Sequence, residues 1–181
     1  MQRLSKQPFL LCALLLALAA LVAPAFGQAT PETGTGPNHK GGAPFRAKLS
    51  PPFAEGVTLV MSGRVLDADT GKGVSGAVIE AFHSDIHGDY DMDGFEYRGR
   101  ILTDEQGRYE FETIRPSSYG PPPHIHIIVK ADGYRSLTTE MRFTNERYPE
   151  IDRPELTPKL VERKVRGGTY LEGTHDLRLR R

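Results

Sequence analysis

Two histidines one residue apart offer the clearest chemistry in this sequence. His124 and His126 begin a run of alternating and then continuous apolar residues that predicts a strand over 124–130. Residues i and i+2 of a strand point to the same face, so the two imidazoles are expected to project side by side while Ile125 and Ile127 enter a core. Such a pair can share one metal ion, but taken alone it is more often a pair of surface histidines.

Two tyrosines could extend this pair to a fuller ligand set. Tyr119 is joined to His124 by a short loop stiffened by three prolines, and Tyr90 lies in an earlier polar loop. Tyr90 is either a fourth ligand or a half-buried loop aromatic. Phenolate is a hard anionic donor, which favours a high oxidation state such as Fe(III). A trivalent cation would drive the ionisation of a side chain whose pKa is ordinarily about 10.

Short alternating strands separated by glycine turns must position these side chains. Such a pattern, with turns about every 8–12 residues, predicts an all-β fold, specifically a β-sandwich. Residues 145–162 have no such alternation and are interpreted as a loop, and no long amphipathic helix is expected. The predicted strands are residues 57–66, 74–82, 100–103, 108–114, 124–130 and 136–143, with a final strand around Leu177 and Leu179.

The first 27 residues have the three parts of a signal peptide. A positively charged start precedes an apolar run at residues 10–22, and small residues lead to an expected cleavage point after Gly27. The apolar run is shorter than the roughly 18–20 residues that span a bilayer, although an uncleaved anchor is the alternative. The protein is therefore expected to be exported, to a periplasm or out of the cell, with no stable membrane span in the mature chain.

Two further segments follow the predicted signal peptide. Residues 28–55 are rich in Gly, Pro and Thr and lack apolar periodicity, which predicts a flexible leader or an arm draped over the domain. Residues 56–181 contain all the predicted strands and are interpreted as the β-sandwich domain. The four candidate ligands all fall within this domain.

Charge and cysteine content narrow the possible functions. The 23 basic residues balance the 23 acidic ones, which argues against nucleic-acid binding. Cys12 is the only cysteine and lies in the predicted signal peptide, so a metal site must use His, Tyr, Asp or Glu. Of the remaining histidines, His39 and His175 are expected to be solvated, whereas His83 and His87 could line a pocket or lie on the surface.

Several motifs together resemble those of one enzyme family, the intradiol ring-cleavage dioxygenases, to which protocatechuate 3,4-dioxygenase and catechol 1,2-dioxygenase belong. The resemblance extends over about residues 63–143, and all four positions that match the family's iron ligands hold the expected residue type. The motifs that carry it are residues 63–67, 74–83, 88–90, 98–107 and 109–116, together with Tyr119 and residues 124–126.

The resemblance implies a fold, a cofactor and a reaction. It implies an antiparallel β-sandwich of the intradiol type, with non-haem Fe(III) held by Tyr90, Tyr119, His124 and His126. Tyr90 would be the ligand displaced by substrate and Tyr119 the retained one, so both are expected to be catalytic. The implied reaction uses O2 to cleave a catechol-type ring between its two hydroxyls, giving a cis,cis-muconate type diacid. It needs no organic cofactor, and the oligomeric state stays open.

Three departures from the family pattern bear on the substrate. Pro121 stands where the family usually has a substrate-binding arginine, Phe82 stands where a tryptophan is common, and the loop before the first histidine is shorter. Arg98, Arg100 or Arg115 could supply the missing charge. The shorter loop and the missing arginine should leave the entrance of the iron pocket more open and less charged. Such a pocket is expected to favour larger or uncharged catechols over carboxylated ones such as protocatechuate.

Two other functions fit parts of the sequence. Residues 63–81 also resemble the transthyretin-like and carboxypeptidase-regulatory-like modules, which would make the protein a non-catalytic exported binding module. A non-catalytic binding module would not require the four candidate ligands to occur together. The other alternative is an exported iron-binding protein that has lost catalysis. Metal content separates the dioxygenase from the binding module, and turnover of a catechol separates it from the iron-binding protein.

Overall fold

A computed structural model of the protein describes residues 27–181. The predictions made for residues 1–26, including Cys12 and nearly all of the signal peptide, lie outside the described residues. Within the described range, no helix is both long enough and apolar enough to cross a membrane.

The described part of the chain folds into two β-sheets, which agrees with the predicted all-β sandwich. A single 3₁₀ turn, Pro154–Leu156, accompanies the strands. The strands are β1 (Thr58–Asp67), β2 (Val78–Phe82), β3 (Arg98–Leu102), β4 (Arg108–Ile114), β5 (His124–Lys130), β6 (Leu137–Arg142), β7 (Lys159–Val165), β8 (Gly168–Thr174) and β9 (Leu177–Leu179).

Each sheet has its own strand order. The four-stranded sheet runs β3-β2-β5-β6, and every neighbouring pair in it is antiparallel. The five-stranded sheet runs β4-β1-β8-β7, with β9 also pairing with β1. Strand β1 pairs in parallel first with β8 and then with β9, so the end of the chain lies along one edge of β1.

Alternation along the strands separates a core face from an outer face. On β5, Ile125, Ile127 and Val129 are fully buried between the sheets, as the period of two predicts. Tyr109 and Phe111 of β4 pack into the same core from the other sheet. His124 and His126 therefore lie on the outer face of the four-stranded sheet, where they do not disturb the core.

The hairpin of β7 and β8 was not predicted, and the expectation of a loop through residue 162 was wrong for its last part. Only Leu160 of β7 is even half-buried; the other six residues are exposed. A strand exposed on both faces has no hydrophobic period to reveal it. Strand β7 is held instead by backbone pairing with β8, from Lys159 opposite Thr174 to Val165 opposite Gly168.

The segment before β1 lies across the outer face of the four-stranded sheet. Thr33 N–H donates to the carbonyl oxygen of Thr138 on β6 at 2.8 Å, and the N–H of Arg100 on β3 donates to the carbonyl oxygen of Pro44 at 2.8 Å. The segment thus makes backbone contacts at both edge strands and covers the face that carries the two histidines.

Candidate metal centre

The two histidines of β5 meet on the outer face as the strand period predicts. Their Nε2 atoms lie 3.1 Å apart. Although they face away from the core, His124 is only 7% exposed and His126 only 6%. The loops and the segment before β1 therefore shield both imidazoles from bulk water.

Neighbouring groups hold the two rings in a ligand-ready orientation. The carbonyl oxygen of Pro122 lies 2.8 Å from Nδ1 of His124, so Nδ1–H donates and the Nε2 lone pair is free. The ring of His126 stacks on Phe82, with centroids 4.7 Å apart and planes 17° from parallel. Nδ1 of His126 is buried and has no hydrogen-bond partner among residues 27–181.

The two tyrosines reach the histidines from separate loops. Tyr90 lies in the β2–β3 loop and Tyr119 in the β4–β5 loop. The Oη atoms of the two tyrosines are 3.1 Å apart, and Tyr119 Oη is 3.4 Å from Nε2 of His124. The four side chains that the sequence singled out are thus brought together at one point.

A glycine allows the two tyrosine loops to approach each other. Gly88 has φ of +93°, a conformation that side chains rarely adopt, and a Cβ added there would collide with Cβ of Tyr119. The backbone of the Tyr90 loop therefore packs directly against the base of the Tyr119 side chain. A larger residue at position 88 would push the two phenols apart.

The spacing of the donor atoms fits a single bound ion. Two donors at about 2 Å from one ion, with angles of roughly 95–110°, lie about 3.0–3.4 Å apart. The neighbouring donor atoms in this cluster are 3.1, 3.4 and 3.1 Å apart. Two phenols and two imidazoles also match the preference of Fe(III) for hard oxygen donors together with nitrogen.

Burial keeps two of these ligands, Tyr90 and His126, uncharged when no cation is present. Burial, followed by the hydrogen bond to Tyr119, raises the pKa of Tyr90 well above its usual range. Burial and the neighbouring His124 lower the pKa of His126 to about 3. The imidazole is therefore already in the neutral form that binds metals, whereas the phenol needs a nearby positive charge to ionise.

Glu140 is a site residue that the sequence did not reveal. It lies opposite His126 in the pairing of β5 with β6 and is only 8% exposed. A carboxylate oxygen of Glu140 and ring nitrogens of His124 and His126 all lie within 4.8 Å of one another. Arg142 donates to that carboxylate at 2.7 and 2.6 Å. The sequence did offer one signal for Glu140: if the predicted strand over residues 136–143 pairs with 124–130, alternate residues of that strand must lie on the same face as the two histidines.

Only one of the three proposed replacement arginines lies beside the candidate centre. The guanidinium of Arg98 is 5.2 Å from the ring centre of Phe82 and 5.8 Å from that of Tyr90. Its Nη1 is buried without a hydrogen-bond partner in the described part of the chain. Arg100 instead donates to the carbonyl oxygen of Ala43, and Arg115 donates to that of Thr144.

Three of the remaining histidines have structural contacts that the sequence did not predict. His83 is neither pocket-lining nor superficial: it is fully buried, 2.6 Å from both the carbonyl oxygen of Ser84 and Oγ1 of Thr113. His39 is not merely solvated, because its Nε2 lies 3.0 Å from Glu80. His175 is half-buried, and burial lowers its pKa. His87 is exposed, which fits the surface alternative.

Fold and site together define a β-sandwich protein with a candidate centre of two tyrosines and two histidines. A family model described as "Dioxygenase" matches residues 35–123, a range that includes both tyrosines and ends just before His124. The chain is 31% identical to a catechol 1,2-dioxygenase of Acinetobacter baylyi over 85% of this chain and 63% of that relative. It is also 31% identical to a 6-chlorohydroxyquinol 1,2-dioxygenase of Cupriavidus pinatubonensis, over 81% of this chain and 64% of the relative.

Solved structures point the same way. The dioxygenase domain of a dioxygenase and carbohydrate-binding protein fusion from Streptomyces sp. SirexAA-E has a TM-score of 0.72 and 32% identity, covering 84% of this chain and 99% of that one. Catechol 1,2-dioxygenase from Pseudomonas arvilla C-1 has a TM-score of 0.74 and 29% identity, covering 83% of this chain and 62% of that one. The chain belongs to the intradiol ring-cleavage dioxygenase family. It spans less than two thirds of the length of the two curated relatives.

Proposed function

We propose that this protein is a non-haem iron dioxygenase that cleaves the ring of a catechol-type aromatic between its two hydroxyls. The observation that carries the proposal is the convergence of four donor atoms from three segments, with neighbouring atoms 3.1 to 3.4 Å apart. Tyr90, Tyr119, His124 and His126 would hold Fe(III). Bound Fe(III) would favour ionisation of the catechol and draw electron density from its ring. A ring carbon would then be susceptible to attack by O2. Both oxygen atoms enter the diacid product, so no external reductant is required.

The protein's own residues have distinct parts in this reaction. His124 and His126 present their Nε2 atoms to the centre; the ring of His124 is fixed by its bond to Pro122 and that of His126 by its stacking on Phe82. Tyr119 Oη lies next to His124, whereas Tyr90 Oη contacts only Tyr119 within the cluster. Tyr90 is therefore the ligand best placed to leave, and as it leaves its phenolate can take one hydroxyl proton from the catechol.

The charges around the centre favour catechols without a ring carboxylate. Glu140 adds a negative charge beside the histidines. Arg142 neutralises that charge but offers no free cation to a substrate carboxylate, because its guanidinium is bound by Glu140 and by Asp152 at 2.8 Å. The guanidinium of Arg98 lies against the rings of Phe82 and Tyr90, and its Nε donates to the carbonyl oxygen of Asp91 at 2.9 Å. An uncharged or larger catechol is therefore the proposed substrate class, with a role in the breakdown of aromatic compounds.

A visible spectrum of the purified protein tests the proposal most directly. Tyrosinate bound to Fe(III) should give a broad visible charge-transfer band, and anaerobic addition of catechol should shift it. A protein that stays colourless and retains no iron after anaerobic iron loading and reoxidation would contradict the tyrosine ligands and favour the binding-module alternative. A coloured protein that binds catechol without consuming O2 would instead be the iron-binding protein that has lost catalysis.

A different donor set would give a different spectrum. His124, His126 and Glu140 could form a two-histidine, one-carboxylate site of the kind that binds Fe(II). Two nitrogens of Arg142 bind Oε1 of Glu140, so the carboxylate has one oxygen occupied and its charge already paired, which favours the tyrosines as the remaining donors. Iron bound without a visible tyrosinate band would support the carboxylate set instead.

We also propose that residues 1–27 direct export and are removed, leaving a leader at residues 28–55 and the domain at 56–181. The charged start, apolar run and small residues before Gly27 support this proposal. The intact mass of the exported protein tests it. A mass that corresponds to a chain beginning near Gln28 is expected, and a mass that includes Met1 would contradict processing.

A further inference from the structure

Strand β7 differs from the other edge strands of the two sheets. At the far edge of the same sheet, β4 bonds to the segment before β1: Leu49 N–H donates to the carbonyl oxygen of Glu112 at 2.8 Å, and Glu112 N–H donates to that of Ala47 at 2.6 Å. The edge strands β3 and β6 of the other sheet bond to the same segment. Beyond its pairing with β8, β7 makes no backbone hydrogen bond to any of residues 27–181. Its outer edge therefore presents a row of N–H and C=O groups that can pair with a strand of another chain.

The side chains of β7 combine exposed apolar residues with charges of both signs. Leu160 packs against the core, so the strand period points Val161 and Val165 to the outer face. Val161 is 46% exposed and Val165 is 56% exposed. Charged side chains on an edge strand ordinarily block pairing. In β7, however, Glu162 lies among basic residues, so a partner strand with the opposite order of charges would be attracted rather than repelled.

Reversing the direction of β7 makes the strand complementary to itself. When a strand pairs antiparallel with its own copy about a two-fold axis perpendicular to the sheet, residues opposite each other lie on the same face, so the axis passes through a residue. With the axis at Arg163, Glu162 lies opposite Lys164 of the second copy. Val161 then lies opposite Val165, and the symmetry repeats both contacts. This register gives two pairs of opposite charge on one face and two apolar pairs on the other.

The nearest alternative registers bring like charges together. An axis at Val161 sets Lys159 opposite Arg163, and an axis at Glu162 sets two glutamates opposite each other. An axis at Lys164 sets two lysines opposite each other. Opposite charges across a strand pair stabilise a sheet, whereas like charges destabilise it. The sequence of β7 therefore favours the register centred on Arg163.

We propose that this chain forms a two-fold symmetric dimer in which β7 of one copy pairs antiparallel with β7 of the other, centred on Arg163. The two five-stranded sheets then continue into each other across the interface. Each Arg163 is bound by Glu172 of its own chain at 2.7 Å, so the two guanidiniums meet with their charges already paired. The inference goes beyond the proposed function and does not depend on it, because neither β7 nor β8 carries a candidate ligand.

Charge reversal on β7 tests both the pairing and its register. Sedimentation velocity over a range of concentrations gives the dimer dissociation constant of the wild type, of Glu162→Lys and of the double variant Glu162→Lys, Lys164→Glu. The wild type should form dimers as its concentration rises. Glu162→Lys places two lysines opposite each other at two symmetric positions, so its dissociation constant should rise about tenfold or more. The double variant restores both pairs of opposite charge and should dimerise as the wild type does.

Glu110→Lys is the matched control, because Glu110 is an exposed residue of β4, at the covered edge of the same sheet. It makes the same change in charge and should dimerise as the wild type does. Amide hydrogen exchange of the wild type is a second measurement that needs no variant. Amides of β7 should exchange more slowly at high protein concentration than at low concentration, because pairing with a second copy protects them.

Several results would overturn the dimer. A wild type that stays monomeric at every soluble concentration would do so, as would equal weakening by Glu162→Lys and Glu110→Lys, which would place the interface elsewhere. A double variant that dimerises no better than Glu162→Lys would overturn the register centred on Arg163. If Glu162→Lys does not fold, hydrogen exchange decides, and exchange in β7 that does not slow with concentration would overturn the pairing.

Discussion

The two faces of the four-stranded sheet are both hidden from water, but by different parts of the molecule. On the inner face, Ile125, Ile127 and Val129 of β5 are fully buried against the opposite sheet. On the outer face, His126 is 6% exposed and lies in a row with Phe82 and Glu140 on the neighbouring strands. The outer face is covered by two tyrosine loops and the segment before β1 rather than by a sheet.

This difference shows what burial means on each face. The inner face excludes water by packing two sheets, which a small molecule cannot enter without global unfolding. The outer face is covered by loops, which open locally at lower free energy than a sheet. Residues on the inner side of β5 therefore stabilise the fold, whereas those on its outer side form the candidate centre. Substitutions on the inner side should lower the free energy of unfolding, and those on the outer side should lower iron binding.

The largest expected effects come from neighbouring residues of β5. His126→Ala should abolish tight iron binding, because it removes a proposed ligand, while leaving the core intact. Ile127→Ala should destabilise the protein by about 2–5 kcal/mol through the cavity it leaves, yet the folded variant should bind iron. Iron per chain and the free energy of unfolding, measured for both, test the comparison. Unchanged iron content in His126→Ala, and in the companion His124→Ala, would show that the ligand assignment is wrong.

The two tyrosines should differ from each other in the same assay. Tyr119→Phe should lose iron, since Tyr119 Oη is the phenol oxygen within 3.4 Å of His124 Nε2. Tyr90→Phe should retain iron on the other three ligands but lower kcat by about 100-fold or more, because it removes a proton acceptor. Iron content and steady-state oxygen uptake measure the two effects. Equal loss of iron in both variants would contradict a displaceable Tyr90.

The strand period accounts for how much of the fold could be predicted. Strands β4 and β5 have the predicted bounds, because residues 108–114 and 124–130 contrast clearly with the turns around them. The β7–β8 hairpin was missed because β7 is exposed on both faces, which removes the hydrophobic signal, and β8 has only one fully buried residue, Gly173. The parallel pairing of β1 with β8 and β9 was also not foreseen, because it joins segments distant in sequence and leaves no local pattern.

The candidate site was predictable where residue type and spacing coincide. His124 and His126 follow from a strand with period two, and the resemblance to the family supplied the two tyrosines. Glu140 and the segment before β1 were missed as neighbours of the histidines because each reaches them through a contact remote in sequence: Glu140 through the pairing of β6 with β5, and Gly36 of that segment by passing close to the ring of His126. A single sequence does not encode such contacts in local spacing.

His83 is a titratable group that is fully buried among core-facing residues, so it should make the stability of the inner side depend on pH. Burial lowers its pKa to about 4, from an ordinary value of 6.5. The unfolded chain therefore binds more protons between these two values, so stability is full above about pH 6.5 and falls as the pH drops towards 4. The free energy of unfolding should fall by about 3 kcal/mol across this window, at about 1.4 kcal/mol per pKa unit. Unfolding measured at several pH values should show this slope in the wild type and a reduced slope in His83→Gln.

The smallest expected effect tests whether charge on the outer face selects the substrate. Glu140→Gln removes a negative charge next to the histidines and leaves Arg142 with one of its two ion pairs, that to the exposed Asp152. Both changes favour an anionic ring substituent, so kcat/KM for protocatechuate relative to catechol should rise about tenfold, equivalent to about 1.4 kcal/mol. Glu172→Gln is the matched control, because Glu172 pairs with Arg163 at 2.7 Å on the other sheet. If the wild type already prefers protocatechuate, the substrate class proposed for this site is wrong, and Arg98 becomes the cation to test, because its guanidinium lies 5.8 Å from the ring centre of Tyr90.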